Sequence, residues 1–226
     1  MEEKSSFPYL LLSLIFTLGG VLLGLSSLTE AAFNLRVSQF LQSVQTDSLL
    51  YFNIFISGFE FFIIFIAVPF FTNLYKKEHK TEAFFLLAAA LTWPIVRLLK
   101  SAFALPCPQA PEIAQLYSFR EVPNMLFLFP EREFCYPSGH AFDYTSFFGM
   151  IYFLRGKLWH NHITRTLLGA FSLALISLAG ISRIFLGAHF LVDVLGGYLF
   201  GASWLFLLLF IYHQFFETYT YVPSDD

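Results

Sequence analysis

The chain has 226 residues, 57% hydrophobic and 13% charged, with a formal net charge of −3 and a mean hydropathy of +0.64. A soluble domain carries about 25% charged residues, so this composition excludes an ordinary water-soluble globule and puts the chain in the membrane class. Without a basic stripe the charge pattern gives nucleic-acid binding no support, and the 31 Phe and 11 Tyr fit lipid-facing and interfacial packing.

A helix needs about 20 mostly apolar residues to cross the hydrocarbon. Read on that scale, the sequence predicts an all-α, polytopic bundle of six transmembrane helices, at 7–28, 49–75, 82–103, 139–155, 166–187 and 188–214. The first run is longer than the apolar core of a secretory signal, so it is expected to be a retained span. Segment 29–48 is polar, with apolar Ala32, Leu35 and Phe40, a weak pattern for an interfacial helix on the outer face. The apolar runs are spread evenly, so one domain over 1–226 is expected.

The loops set the orientation. With the N-terminus inside, Lys76, Lys77 and Lys80 and the stretch from Arg155 to Arg165 are cytoplasmic, as the positive-inside rule requires. The long loop from about 104 to 137 then lies outside, with Glu112, Glu121, Glu131 and Glu133 against Arg120 and Arg132. Both termini are expected in the cytoplasm, as for a multi-pass protein of the plasma or inner membrane.

Ionisable groups in or beside spans are costly and usually functional. Counting spans brings Lys100, His140, Arg183, His189 and Asp193 to one leaflet, the outer one. Pro137-Ser138-Gly139-His140 reads as a turn into a helix start, whose N–H groups and dipole suit an anion. Lys100 and Arg183 add positive charge for phosphate oxygens. His189 and Asp193, four apart, share a helix face, so the carboxylate can hold one imidazole nitrogen and leave the other as a nucleophile. His140 can then protonate a leaving alkoxide. Each fragment alone has a bland reading, such as a packing histidine or half a metal site; their convergence on one side points to a phosphate site.

At these residues the sequence resembles the type 2 phosphatidic acid phosphatase superfamily of membrane lipid phosphatases, over roughly residues 50–210. Pro137-Ser138-Gly139-His140 matches one part of that family's signature. Ser182-Arg183, five residues, His189, three residues and Asp193 match another. The remaining part, Lys, six residues, then Arg-Pro, departs from the pattern, because Lys100 is followed by Cys107-Pro108. Arg97, Arg120 and Arg132 are candidate stand-ins for that arginine.

The resemblance implies a site without metal or cofactor. In it His189 is the nucleophile, Asp193 its orienting partner and His140 the general acid, while Lys100, Ser138, Gly139 and Arg183 bind phosphoryl oxygens. The expected activity is hydrolysis of a lipid phosphate or polyprenyl diphosphate through a phosphohistidine. For a bacterial source, undecaprenyl diphosphate or a phosphatidyl lipid leads by resemblance. Two alternatives stand beside it, a lipid phosphotransferase using the same intermediate and a non-catalytic membrane protein for lipid binding or transport.

The only two cysteines, Cys107 and Cys135, fall in the outer loop, where an oxidising environment would permit a disulfide. Glu60 lies mid-span, facing either a substrate cavity or a polar partner. Asp143 either tunes His140 or steadies a helix start. Gly197 and Gly201 have the spacing of close helix packing.

Overall fold

The computed structural model describes residues 6–26, 31–57, 71, 72, 74, 79–105 and 134–216. Their regular elements are helices: α1 (Phe7–Ser26), α2 (Ala31–Ser43), α3 (described over 47–57), α4 (Lys80–Ala90), α5 (Trp93–Phe103), α6 (Gly139–Leu158), α7 (His162–Phe185) and α8 (Leu191–Phe215). The all-α expectation therefore holds for the described residues.

The count of six crossings is not reached among them. Four segments are long and apolar enough to span a bilayer, namely Phe7–Ser26, Lys80–Phe103, His162–Phe185 and Leu191–Phe215. The expected third span is two helices, because Pro94 lacks the amide that would continue α4 past Leu91. The expected fourth is α6, 20 residues long. It carries His140, Asp143 and Arg155 and falls short in apolarity. Most of the expected second lies outside the described residues, as do Glu60, Cys107, Arg120 and Arg132.

Side chains sort as a lipid solvent demands. Leu14, Leu18 and Leu22 of α1, and Ile163, Leu167 and Phe171 of α7, point outward and are exposed. The core instead gathers around α6, where Ala141, Phe142, Tyr144, Phe147, Met150 and Leu154 are buried among α4, α7 and α8.

Glycine lets these helices meet. A Cβ on Gly197 of α8 would come within 2.5 Å of the Ser138 carbonyl oxygen, and one on Gly201 within 2.7 Å of the Phe142 carbonyl oxygen. Both neighbours are backbone and cannot step aside. The small-residue spacing is therefore a packing device, as the sequence suggests. On the other face of α8, α1 packs through Ser13, Thr17 and Gly20. The Ser203 hydroxyl lies 3.3 Å from Ser13 Oγ and 2.6 Å from Thr17 Oγ1.

One end of the bundle is tied by a buried carboxylate. Lys157 Nζ stands 2.5 Å from Glu82 Oε1, and the Tyr212 hydroxyl donates to the same oxygen at 3.0 Å, joining α6, α4 and α8.

At the opposite end α7 turns into α8. Gly187 has φ 64°, the left-handed region. Its N–H donates to the Ile184 carbonyl (3.0 Å), and that of Ala188 to the Arg183 carbonyl (3.0 Å). These two bonds define a Schellman turn, which satisfies the last carbonyls of α7 and reverses the chain.

Two substitutions test this packing. Gly197→Ala should cost about 1–3 kcal/mol through overpacking, read as a lower unfolding midpoint in detergent. Gly139→Ala should leave the midpoint unchanged, because its Cβ would stand an ordinary 3.5 Å from Val96. Gly187→Ala should cost about 1 kcal/mol through left-handed strain, with Gly187→Asn milder.

Candidate active site

Four helix ends converge where Gly187 turns the chain: the C-termini of α5 and α7 and the N-termini of α6 and α8. Lys100 lies in the last turn of α5, where a cation suits the helix dipole. Arg183 lies in the last turn of α7. Ser138 caps α6, and Phe190 caps α8.

His189 sits just before α8, 2% exposed, and its N–H donates to the Arg183 carbonyl at 3.3 Å. Its Nδ1 is 3.5 Å from Asp193 Oδ2. That carboxylate is fixed in turn, since the Phe190 N–H donates to Oδ2 at 2.9 Å. This is the reciprocal half of a capping box, in which the third helical residue reaches back to the cap. With Nδ1 toward Asp193, Nε2 is turned away from the carboxylate.

Arg183 is fully buried, and its Nη1 donates to the Ser57 hydroxyl. The carbonyl of the same Ser57 lies 3.2 Å from His140 Nε2. Ser57 of α3 therefore links the guanidinium to the second imidazole. Sequence reading missed this residue, because a serine near the start of an apolar run has no pattern of its own. The backbone closes the group: the Ser138 N–H donates to the Asp193 carbonyl at 2.8 Å, joining the starts of α6 and α8.

Lys100 Nζ donates to the Phe134 carbonyl at 3.2 Å, and its charge acts on both Asp193 and Asp143. The ends of the long loop meet beside it, where the Cys135 N–H donates to the Leu105 carbonyl at 3.0 Å. Tyr136 is buried and its hydroxyl donates to the Gly20 carbonyl, tying the loop to α1. Burial first, and then the negative charge of Asp193, push this phenol above the ordinary tyrosine range, so it stays a donor.

Some expectations need correction. The Ser138 N–H is engaged by Asp193, so it is not open to an anion. The Ser138 hydroxyl is buried without a hydrogen-bond partner among the described residues, and that is the group the serine can offer. The first-turn N–H groups of Gly139, His140 and Ala141 have no acceptor within α6, as at any helix start. Asp143 accepts from the Thr92 hydroxyl, which links α6 to the break between α4 and α5. Arg97 is exposed and stands over the Trp93 ring, 5.1 Å from its centroid.

Cys135, His189 and Asp193 bring possible metal-ligand atoms within 4.8 Å of one another. A metal takes the thiolate form of cysteine, yet no cysteine among the described residues is a free thiol. One imidazole and one carboxylate then remain, fewer than the three protein ligands of a catalytic zinc site. Among the described residues this cluster does not complete such a site.

Known proteins resemble this chain to different extents. Phosphatidylglycerophosphatase B of Bacillus subtilis (strain 168) is 35% identical over 91 residues, a stretch covering 38% of this chain and 43% of that protein. The match therefore spans less than half the length of the relative. The crystal structure of the first transmembrane PAP2 type phosphatidylglycerolphosphate phosphatase from Bacillus subtilis has the same fold. Its TM-score is 0.69 at 20% identity, over 87% of this chain and 93% of that one. A family model described as the PAP2 superfamily matches residues 81–217, a segment that holds Lys100, Ser138, His140, Arg183, His189 and Asp193. The chain belongs to the PAP2 superfamily.

Proposed function

We propose that this protein is an integral membrane lipid phosphatase, a single domain that hydrolyses a lipid phosphate monoester through a phosphohistidine on His189. The observation that carries the reading is the buried pair of His189 Nδ1 and Asp193 Oδ2 at 3.5 Å, beside the fully buried Arg183. A guanidinium cannot give up its charge, and burying it suits a pocket that receives an anion.

In the proposed reaction Lys100, Arg183, the Ser138 hydroxyl and the first-turn N–H groups from Gly139 onward hold the phosphoryl oxygens. His189 Nε2 attacks phosphorus, the bond from phosphorus to the lipid oxygen breaks, and its electron pair leaves on that oxygen. His140 supplies the proton. Water then attacks the phosphohistidine, His140 takes a proton from it, and phosphate departs with His189 restored. The barrier falls by positioning and by charge stabilisation, as in other phosphoryl transfers. No metal takes part.

The name of the matched Bacillus subtilis relative supports a phosphatidylglycerophosphate-like substrate. Cys107, standing where the family pattern has arginine, removes one cation and favours a single phosphate over a diphosphate. The cytoplasmic basic loops support two further proposals: α3 and α6 complete six crossings, and the site opens on the non-cytoplasmic face with both termini inside. A Cys107–Cys135 disulfide suits that face; Cys107 lies outside the described residues.

Phosphate release by purified protein in detergent tests the reading. His189→Ala should abolish turnover, and near wild-type release from it would sink the mechanism. His140→Ala should lower kcat by about 10²–10⁴-fold, and Asp193→Asn should weaken activity through a misoriented ring. Gly139→Ala should reduce activity without lowering stability, because protein packing leaves room for the methyl where the phosphate should lie.

Activity should be bell-shaped in pH, with a maximum between about pH 6 and 8. On the acid side a protonated His189 cannot attack, and on the alkaline side a neutral His140 cannot donate. EDTA should change nothing; loss of activity reversed by a divalent metal would contradict the proposal. A panel of phosphatidate, phosphatidylglycerophosphate and undecaprenyl diphosphate should show monophosphates cleaved fastest.

A further inference from the structure

Helix α2 lies outside the matched family segment of 81–217 and is built inside out. Asn34, Ser38 and Gln42, spaced four apart, form one polar edge and are 4%, 2% and 6% exposed. Phe33 and Phe40 point outward at 56% and 66%. In a lipid solvent polar side chains turn toward protein, so the polar edge marks what α2 is built to touch. It packs on α7 and α8.

The contacts are specific. The first turn of α8 leaves N–H groups without helical acceptors, and its cap, Phe190, has no side-chain oxygen to offer. Asn34 Oδ1 supplies one from another helix, accepting the Val192 N–H at 3.3 Å. Two turns along α2, Gln42 Nε2 donates to the Ile184 carbonyl at 3.5 Å. That carbonyl already accepts the Gly187 N–H of the Schellman turn. The two bonds thus grip the chain just before and just after residues 186–190, the turn that carries His189. Ser38 lies between them, and its hydroxyl has no hydrogen-bond partner among the described residues.

We infer that Asn34 and Gln42 are positioning residues: α2 clamps both ends of the α7–α8 turn and so fixes the His189 ring for in-line attack. The inference rests on His189 being the nucleophile. Misplacing an attacking group by about 1 Å can cost on the order of 10²-fold in rate, so the clamp acts on kcat, whereas phosphate binding by Lys100 and Arg183 is left intact.

The test uses the full chain in detergent with two readouts, steady-state kinetics and amide hydrogen exchange over residues 186–192. Asn34→Ala and Gln42→Ala should each lower kcat by about 10-fold or more with KM changed less than about threefold, and exchange in the turn should quicken. Asn34→Asp keeps the acceptor and should restore both readouts. Gln42→Glu, ionised, loses the donor and should behave like Gln42→Ala. Ser38→Ala removes a buried polar atom without touching the clamp and should match wild type. Wild-type kcat in Asn34→Ala and Gln42→Ala overturns the inference, as does failure of Asn34→Asp to rescue. A Ser38→Ala loss equal to that of Asn34→Ala reduces α2 to a packing element and also overturns it. If the wild-type protein releases no phosphate, the proposed function fails instead, and the exchange readout still judges the clamp: unchanged exchange in Asn34→Ala rejects it.

Discussion

The turn between α7 and α8 is the constraint on which the rest of the site depends. Five residues must end one membrane helix, start the next, cover Arg183 and deliver His189 beside Asp193. Gly187 makes this possible, because its left-handed φ of 64° lets the Arg183 and Ile184 carbonyls accept bonds from the turn itself. In hydrocarbon an unsatisfied carbonyl costs several kcal/mol, so a Schellman closure is close to a requirement there. The same closure brings the His189 N–H back onto the Arg183 carbonyl. The nucleophile candidate and the buried cation are therefore held by one piece of backbone.

Around that turn the site is assembled from helix ends rather than helix middles. The starts of α6 and α8 supply the positive ends of two helix dipoles, and the Ser138 N–H to Asp193 carbonyl bond locks them together. Lys100 and Arg183 come from the opposite kind of end, the C-termini of α5 and α7, where a cation is favoured by its own helix. Two helix N-termini and two cations, whose own C-terminal helix ends are negative, thus meet at a single spot, an arrangement that suits a phosphate. Gly197 and Gly201 allow it, since without them α8 could not approach the Ser138 and Phe142 carbonyls.

The other end of the bundle shows the contrast between polar groups that hold a fold and polar groups that await a ligand. Glu82, Lys157 and Tyr212 satisfy one another directly, with the Lys157 ammonium 2.6 Å from the Tyr212 hydroxyl and 2.5 Å from the carboxylate. At the candidate-site end the Ser138 hydroxyl is buried with no such closure among the described residues. Buried polar groups are normally hydrogen-bonded, and a hydroxyl left open next to the Asp193 backbone is one a bound anion could use.

Much of this was legible in the sequence. Hydropathy declared the membrane class and the helical content, because a bilayer accepts few other backbones. The spacing from Arg183 through His189 to Asp193 is local, and a helix places residues four apart on one face whatever surrounds it. Counting spans brought Lys100, His140 and Arg183 to one side, and the structure gathers His140 and Arg183 around Ser57. Tertiary structure alone decided the rest. Ser57 joins His140 to Arg183 only because α3 happens to pack there, and no periodicity announces one serine. The Ser138 amide is taken by a carbonyl 55 positions away, a pairing that no local pattern encodes. Asn34 and Gln42 read as weak interfacial polarity along the chain; which way a short amphipathic helix faces is set by its neighbours, and here they turn its polar edge inward.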